Sequence, residues 1–338
     1  MRALPIAVVA TFVVAVPAQA PAPTHHELEV PDAPPLPYAV AAPASFTAER
    51  FVPLLVCVGD VSPEIVAATV EQAFVVVAAP AREPAALAAL LGELRQQFRV
   101  EQLGMHLAGV GDDGVAAAVR LAAFASHELQ TLTVWGGAWP DDTTELRGLA
   151  DRRVRLLGDA GGVAAALRKA ELDARTVAVD PSDAVAVAQH FAALHAERAP
   201  AGAAADVASA LDDFHDAAAK GDEQRYFARL PDDAVFLGTD ATERWTGAEF
   251  RAFALPYFER GPAWTYVPLR RHVTLADGGE LAWFDEVLDN EAYGVCRGSG
   301  VLERRDERWV VRQYHLTIPI PNALAREVVE RIRASGGR

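Results

Sequence analysis

Apolar and polar positions along this chain follow two different rhythms. From residue 52 to residue 179, mostly apolar, strand-like runs (52–59, 73–80, 103–108, 131–135, 154–158 and 176–179) are separated by stretches with helical periodicity, such as Leu87, Leu90, Leu91 and Leu94. Mostly apolar runs suit strands covered on both faces, and helix-period stretches between them suit crossover helices, so this part reads as an α/β, three-layer sheet domain. A last helix over 184–198 ends where Ala199-Pro200-Ala201-Gly202 interrupts the pattern. From residue 206 helices come first and strands afterwards. Val207, Leu211, Phe214 and Ala218 share one helical stripe, a short helix carries Tyr226, Phe227 and Leu230, a strand covers 234–238, and a third helix spans 247–258. Four strand-like stretches follow (264–275, 280–289, 293–305 and 308–318), divided by the turn sequences Asp277-Gly278-Gly279, Asp289-Asn290-Glu291 and Arg305-Asp306-Glu307. This order predicts an α+β cone, a curved antiparallel sheet on helices that leaves a pocket.

The start of the chain reads differently again. Arg2, the apolar stretch 4–16 and Ala18-Gln19-Ala20 have the layout of a cleavable secretory signal over residues 1–20, too short to span a bilayer comfortably. An uncleaved signal anchor is the alternative. Residues 21–44, rich in proline and alanine, read as a weakly structured lead-in. The predicted organisation is therefore a signal at 1–20, a lead-in at 21–44, a sheet domain at 45–198, a linker at 199–205 and the cone domain at 206–338, in a secreted or periplasmic protein. A chain of 338 residues with 51% hydrophobic residues can fill two cores. Its net charge of −15 argues against nucleic acid, and against a membrane partner after signal cleavage. Cys57 and Cys296 read as small buried hydrophobes, with a bridge between domains as the alternative.

One turn carries the chemical question for the first domain. Gly109-Val110-Gly111-Asp112-Asp113-Gly114 lies between a strand and an alanine-rich helix, and G-x-G-x-x-G in that position can cradle a pyrophosphate. Asp112 and Asp113 would then face phosphate charge, and the strand at 132–135 ends in Gly136-Gly137 without the acid that binds a ribose. The other reading is a nucleophile elbow, G-x-S-x-G. Over residues 45–198 the order of elements resembles the esterase and dienelactone-hydrolase branch of the α/β-hydrolases. Gly111 stands where that family has its nucleophile, Asp113 replaces its second glycine, with Gly114 one place later, and Asp180-Pro181-Ser182-Asp183 stands where its histidine belongs. His190 falls within the following helix, and Asp159 is either a leftover acid or a turn residue. Gly109, Gly111, Asp112 and Gly114 thus mark a degenerate elbow in a domain without catalysis. Residual hydrolysis and metal-assisted chemistry at Asp112, Asp113 and Asp159 are the alternatives, and no metal site or cofactor is predicted.

The second domain resembles the SnoaL-like, nuclear transport factor 2-like superfamily. The resemblance covers residues 206–325 and rests on Gly238-Thr239-Asp240-Ala241-Thr242-Glu243-Arg244-Trp245-Thr246-Gly247, Ala282-Trp283-Phe284-Asp285-Glu286, Gly298-Ser299-Gly300-Val301-Leu302, and the run from Arg308 to Thr317. Such domains include cyclases, isomerases, dehydratases and non-catalytic binding or dimerising modules, so the fold alone delivers no reaction. In the last strand Trp309, Val311, Gln313, His315 and Thr317 alternate on one face, and the resemblance places Gln313 and His315 on the pocket side. Trp283 with Asp285, and Arg297 with Ser299, extend that face, and Tyr226 and Trp245 complete the predicted pocket. A β-bulge would invert part of this assignment. His315 with Asp285 is the candidate acid/base pair, as in an isomerase, cyclase or dehydratase, and a hydrogen-bonded structural histidine is the alternative. His215 and His272 have no spacing that suggests a site. The expectation is an exported small-molecule-binding or assembly protein, homodimeric through the second domain's sheet, whose ligand is small and apolar or carbonyl-containing.

Overall fold

The computed structural model describes residues 22–31, 33–140, 149, 152–158, 163–169, 172–198 and 202–335. The signal-like segment and Asp159 lie outside the described residues. The first domain contains strands β1 (Thr24–Leu28), β2 (Leu36–Ala41), β3 (Val52–Gly59), β4 (Val75–Ala79), β5 (Val100–Val110), β6 (Thr131–Trp135), β7 (Arg153–Leu157) and β8 (Asp173–Val177). Between them run helices α1 (Pro63–Glu71), α2 (Pro84–Gln97), α3 (Gly111–Phe124) and α4 (Val163–Lys169), with α5 (Ala184–Ala196) after β8. One eight-stranded sheet has the order β1-β2-β4-β3-β5-β6-β7-β8. From β4 to β8 its neighbours are parallel, and β1 and β2 add an antiparallel hairpin at the β4 edge.

Strand β3 is apolar throughout because helices cover both faces. Leu54, Val56 and Val58 join the core with Leu87, Leu90 and Val115, and Leu55 and Cys57 join the one with Ile65, Val187 and Phe191. Each such side chain contributes about 1.5–3 kcal/mol on full burial. The lead-in corrects the sequence reading: β1 and β2 lie inside the stretch expected to be weakly structured. Leu36, Tyr38 and Val40 alternate inward, and Pro37 is tolerated beside the edge strand. Cys57 and Cys296 are both free and buried, so no bridge links the domains, and burial pushes the Cys57 thiol up to about 12.

The second domain runs α6 (Ala203–Lys220), α7 (Glu223–Arg229), β9 (Val235–Leu237), β10 (Arg244–Thr246), α8 (Gly247–Phe258), β11 (Val267–Leu275), β12 (Leu281–Asn290), β13 (Gly294–Arg305), β14 (Arg308–Thr317) and α9 (Ala325–Ala334). The expected stripe of α6 is buried at Val207, Leu211, Phe214 and Ala218, and Gly221, in the left-handed region at φ 69°, ends the helix. A capping box between Thr246 and Glu249 starts α8. The six-stranded sheet has the order β10-β9-β14-β13-β12-β11 and wraps these helices. Its last hairpin is bulged: Val301 pairs with Gln313 but Leu302 with Val311, which leaves Arg312 as an extra residue in β14.

Hydrogen bonds tie the two domains together. Gln130 Nε2 donates to Pro268 O at 2.5 Å, Arg198 Nη1 to Leu269 O at 2.8 Å, Lys220 Nζ to Phe98 O at 3.0 Å, and the Gln102 amide to Asp212 Oδ2 at 3.3 Å. Among the described residues no helix is long and apolar enough to cross a membrane.

Candidate functional site

A cavity of about 700 Å³ opens between the helices and the sheet of the second domain. Phe214, Tyr226, Phe236, Trp245, Phe250 and Trp264 form aromatic walls, with the Phe236 and Phe250 rings stacked 3.8 Å apart between centroids. Two groups able to exchange protons, His215 and Tyr314, also line it.

Both groups rest on one carboxylate. His215 Nε2 lies 2.7 Å from Glu286 Oε1, and Tyr314 Oη donates to the same oxygen at 3.2 Å. Arg271 Nε donates to Glu286 Oε2 at 2.8 Å, and Arg271 Nη1 donates to Asp212 Oδ1 at 2.5 Å. Glu286 is fully buried. Burial alone would raise its carboxyl, but His215 and Arg271 hold it down at about 2, so it is an anion at neutral pH. Burial also opposes the charge of Arg271, and the carboxylates of Glu286 and Asp212 more than offset that. The Tyr314 hydroxyl is pushed well above the usual phenol range by burial and by Glu286, and Tyr226 is pushed up chiefly by burial. Because an ionised carboxylate only accepts hydrogen bonds, His215 must carry its proton on Nε2, which leaves Nδ1 as the basic nitrogen.

The backbone makes room for this cluster. Residue 298 faces Glu286 across the β12–β13 ladder, and a Cβ there would sit 2.5 Å from Tyr314 Oη and 2.9 Å from Glu286 Oε1, so only glycine fits. On α6 the stripe Ala208, Asp212, His215 runs beside the apolar stripe and faces the sheet through Arg271 and Glu286.

The predicted pocket residues divide into two groups. Tyr226 and Trp245 line the cavity. Trp283, Asp285, Arg297, Gln313 and His315 do not line it; they occupy the other face of the sheet, where Trp283 is 51% exposed and Asp285, Arg297 and Gln313 are also exposed. The bulge at Arg312 is the physical reason. Trp309 and Val311 point into the core, the extra residue shifts the phase, and Tyr314 and Leu316 point inward after it. Pairing then carries the inversion across the sheet, since Asp285 faces Ser299 and Ser299 faces His315, whereas Phe284 faces Gly300 and Gly300 faces Tyr314. Sequence reasoning missed His215, Glu286 and Arg271. Their legible signal was a charged residue on an apolar phase: Glu286 between Phe284 and Leu288, and Arg271 between Leu269 and Val273.

Residues 207–321 match the family described as SnoaL-like domain. The second domain is a SnoaL-like domain. Several solved structures are similar to one or the other part of this chain. A calcium/calmodulin dependent protein kinase II association domain described from Xanthomonas campestris is 21% identical, with 36% of this chain and 91% of that chain covered and a TM-score of 0.29. An NTF2-like protein of unknown function from Pseudomonas putida KT2440 is 18% identical, over 36% and 92%, with a TM-score of 0.31. A thermostable esterase, 12% identical, covers 46% of this chain and 54% of its own, with a TM-score of 0.37. No curated protein sequence matches the chain.

The first domain, a mixed α/β sheet like that of the hydrolases, has the predicted elbow turn. β5 passes directly into α3 at Gly111, whose φ is +70°, and a Cβ on Gly111 would meet nothing within 4 Å. Around it the backbone is tight: a Cβ on Gly114 would lie 2.3 Å from Val58 O, one on Gly109 2.8 Å from the Ala118 Cβ, and one on Gly137 2.5 Å from the Gly111 carbonyl. Asp112 Oδ1 accepts the Ala138 amide at 2.9 Å, and Asp183 caps α5 by accepting the amides of Val185 and Ala186. Two of the acids in this region are therefore occupied in holding backbone. Among the described residues, no group of three or more His, Cys, Asp or Glu is placed to hold a metal ion.

Proposed function

We propose that the SnoaL-like domain binds a small, largely apolar molecule carrying a carbonyl group and moves a proton on it, with His215 as the base. The observation that carries this reading is the contact of His215 and Tyr314 with one buried carboxylate, beside an aromatic cavity. Glu286 fixes the ring and stabilises the imidazolium formed when Nδ1 takes a proton from carbon beside the carbonyl. Tyr226, kept protonated, donates a hydrogen bond to the carbonyl oxygen, where negative charge grows. The same His215 returns the proton to another carbon or to a leaving group, giving an isomerase or lyase outcome.

Native mass spectrometry of protein purified gently from its own host is the first test, since a mass lost on denaturation identifies the ligand. Turnover of that ligand should fall about 10²–10⁴-fold in His215→Gln with binding retained. Unchanged turnover would refute the base; bound ligand with no turnover in the wild type would leave a binding module.

In this reading the first domain is a scaffold with no hydrolase activity, supported by the missing side chain at Gly111 and the capping role of Asp183. The chain is exported by residues 1–20, so mature protein from the host should begin at residue 21. It forms a homodimer through the outer face of the SnoaL-like sheet, a reading supported by the exposure of Trp283 and Val295. Trp283→Glu should convert that dimer to monomer in sedimentation without changing ligand binding.

A further inference from the structure

The polar cluster does not stop at the ligand cavity. From His215 it passes through Glu286 to Arg271 and from Arg271 to Asp212, whose Oδ2 accepts the amide of Gln102 in β5 of the first domain. Asp212 and Arg271 also face a second cavity, of about 510 Å³, whose walls come from both domains and include Glu101 and His195. We infer that Asp212 is a positioning residue for His215, and that the first domain, through β5, completes the proton-transfer site of the second. This inference rests on the reading of His215 as the base of the pocket.

The argument is one of buried charge. Arg271 sits between two carboxylates, its side chain 1% exposed, and serves both. With Asp212 ionised, only part of the Arg271 charge is felt at Glu286, so Glu286 remains a strong acceptor for His215. Neutralising Asp212 leaves the whole guanidinium charge on Glu286 and weakens its hold on the imidazolium. Burial disfavours the charged form of Asp212 and Arg271 favours it; from β5 the Glu101 carboxylate disfavours that charge and the Gln102 amide, a smaller effect, favours it. β5 thereby sets how basic His215 can be, without touching the ligand. A hydrolase-like domain with no nucleophile acquires a definite task in this arrangement.

The groups around His215 come from each packed element: Glu286 of β12, Tyr314 of β14 and Arg271 of β11, with Tyr226 of α7 on the same cavity. On its own helix Asp212 and Asp216 flank it, and Asp216 is held by Lys220 and Arg225. Asp213, also buried on α6, supplies the control, because it pairs with Arg225 and Arg229 and not with Arg271.

The experiment follows side-chain ¹⁵N shifts of histidine against pH in the full-length protein, with His215 assigned from the spectrum of His215→Gln. Asp212→Asn should lower the His215 midpoint by about one pH unit. Asp213→Asn should leave it in place even if it destabilises the fold. Asp212→Ser, smaller and still an acceptor for the Gln102 amide, should reproduce the shift if the asparagine variant does not fold. An unmoved midpoint, an equal shift in Asp213→Asn, or failure of both Asp212 variants to fold would overturn the proposal. The readout needs no substrate, so the two ideas fail separately: a shifted midpoint with full turnover in His215→Gln would sink the catalytic reading and leave the coupling standing.

Discussion

At Gly111 the first domain turns from strand to helix at positive φ with open space and no side chain, whereas around Glu286 the second domain packs ionisable side chains for which the backbone makes room at Gly298. The contrast separates two things that an active site needs. The elbow's shape is stabilised by packing, with Gly114 against Val58 and Gly137 against Gly111, and that packing serves the sheet whether or not a nucleophile is present. The buried cluster is different. Glu286 and Arg271 cost a great deal to desolvate, and the arrangement is stable because each charge faces an opposite charge or a hydrogen-bond partner, although Arg271 Nη2 itself has none. Packed shape persists without chemistry, whereas a buried charge persists only beside its partners.

The largest expected effect breaks that cluster. Glu286→Ala leaves the buried Arg271 with Asp212 as its one carboxylate and removes the acceptor of His215 and Tyr314, and should cost about 3–5 kcal/mol, read from the urea midpoint of the second domain. A loss below about 1 kcal/mol would mean that the cluster carries little energy and that the contrast is overstated.

Acid should separate the two domains next. Burial, then neighbouring charge, pushes His190 down to about 4 and holds His106 well below the ordinary imidazole range, so the unfolded chain binds protons that the folded first domain does not. Stability of the first domain should therefore fall as pH drops from about 6.5 towards 4. Glu286 is held at about 2 against an ordinary value of 4.5. Its contribution is complete above 4.5 and is lost only as pH falls from there through about 2, at up to about 1.4 kcal/mol per unit. Amide exchange should show β5 losing protection at a higher pH than β12. The reverse order would contradict both assignments.

Gly111→Ser tests the elbow directly. The side chain has open space, so the variant should fold, with a penalty of about 1 kcal/mol for a non-glycine residue at positive φ, and should hydrolyse no simple ester. Hydrolysis above background would show that a base is within reach after all. The smallest effect is expected for Tyr314→Phe, which removes one of three partners of Glu286 and should cost about 1 kcal/mol in urea denaturation while His215 and Arg271 remain bound to the carboxylate.

Much of the scaffold is legible in the sequence because burial is a local, periodic signal. The run Val52–Gly59 reads as a two-face-covered strand, and the stripe Val207, Leu211, Phe214, Ala218 reads as an inward helix face. The hairpin β1–β2 is harder to read, since four prolines between residues 31 and 37 mask the alternation Leu36, Tyr38, Val40. In the candidate site Tyr226 and Trp245 are legible as aromatic residues beside turns, while His315 and Asp285 carry the right chemistry on the wrong face.

The sequence by itself determined which residues are apolar, the order of most helices and strands after residue 52, that position 111 has no side chain to attack with, and that residues 206–325 resemble a SnoaL-like cone. Only the tertiary structure decided which face of that sheet looks inward, that His215 meets Glu286, and that Asp212 reaches the first domain. Period-two alternation carries no absolute phase, and one extra residue at Arg312 inverts everything beyond it. Contacts between residues 71, 59 or 110 positions apart depend on how distant elements pack, which no local pattern records.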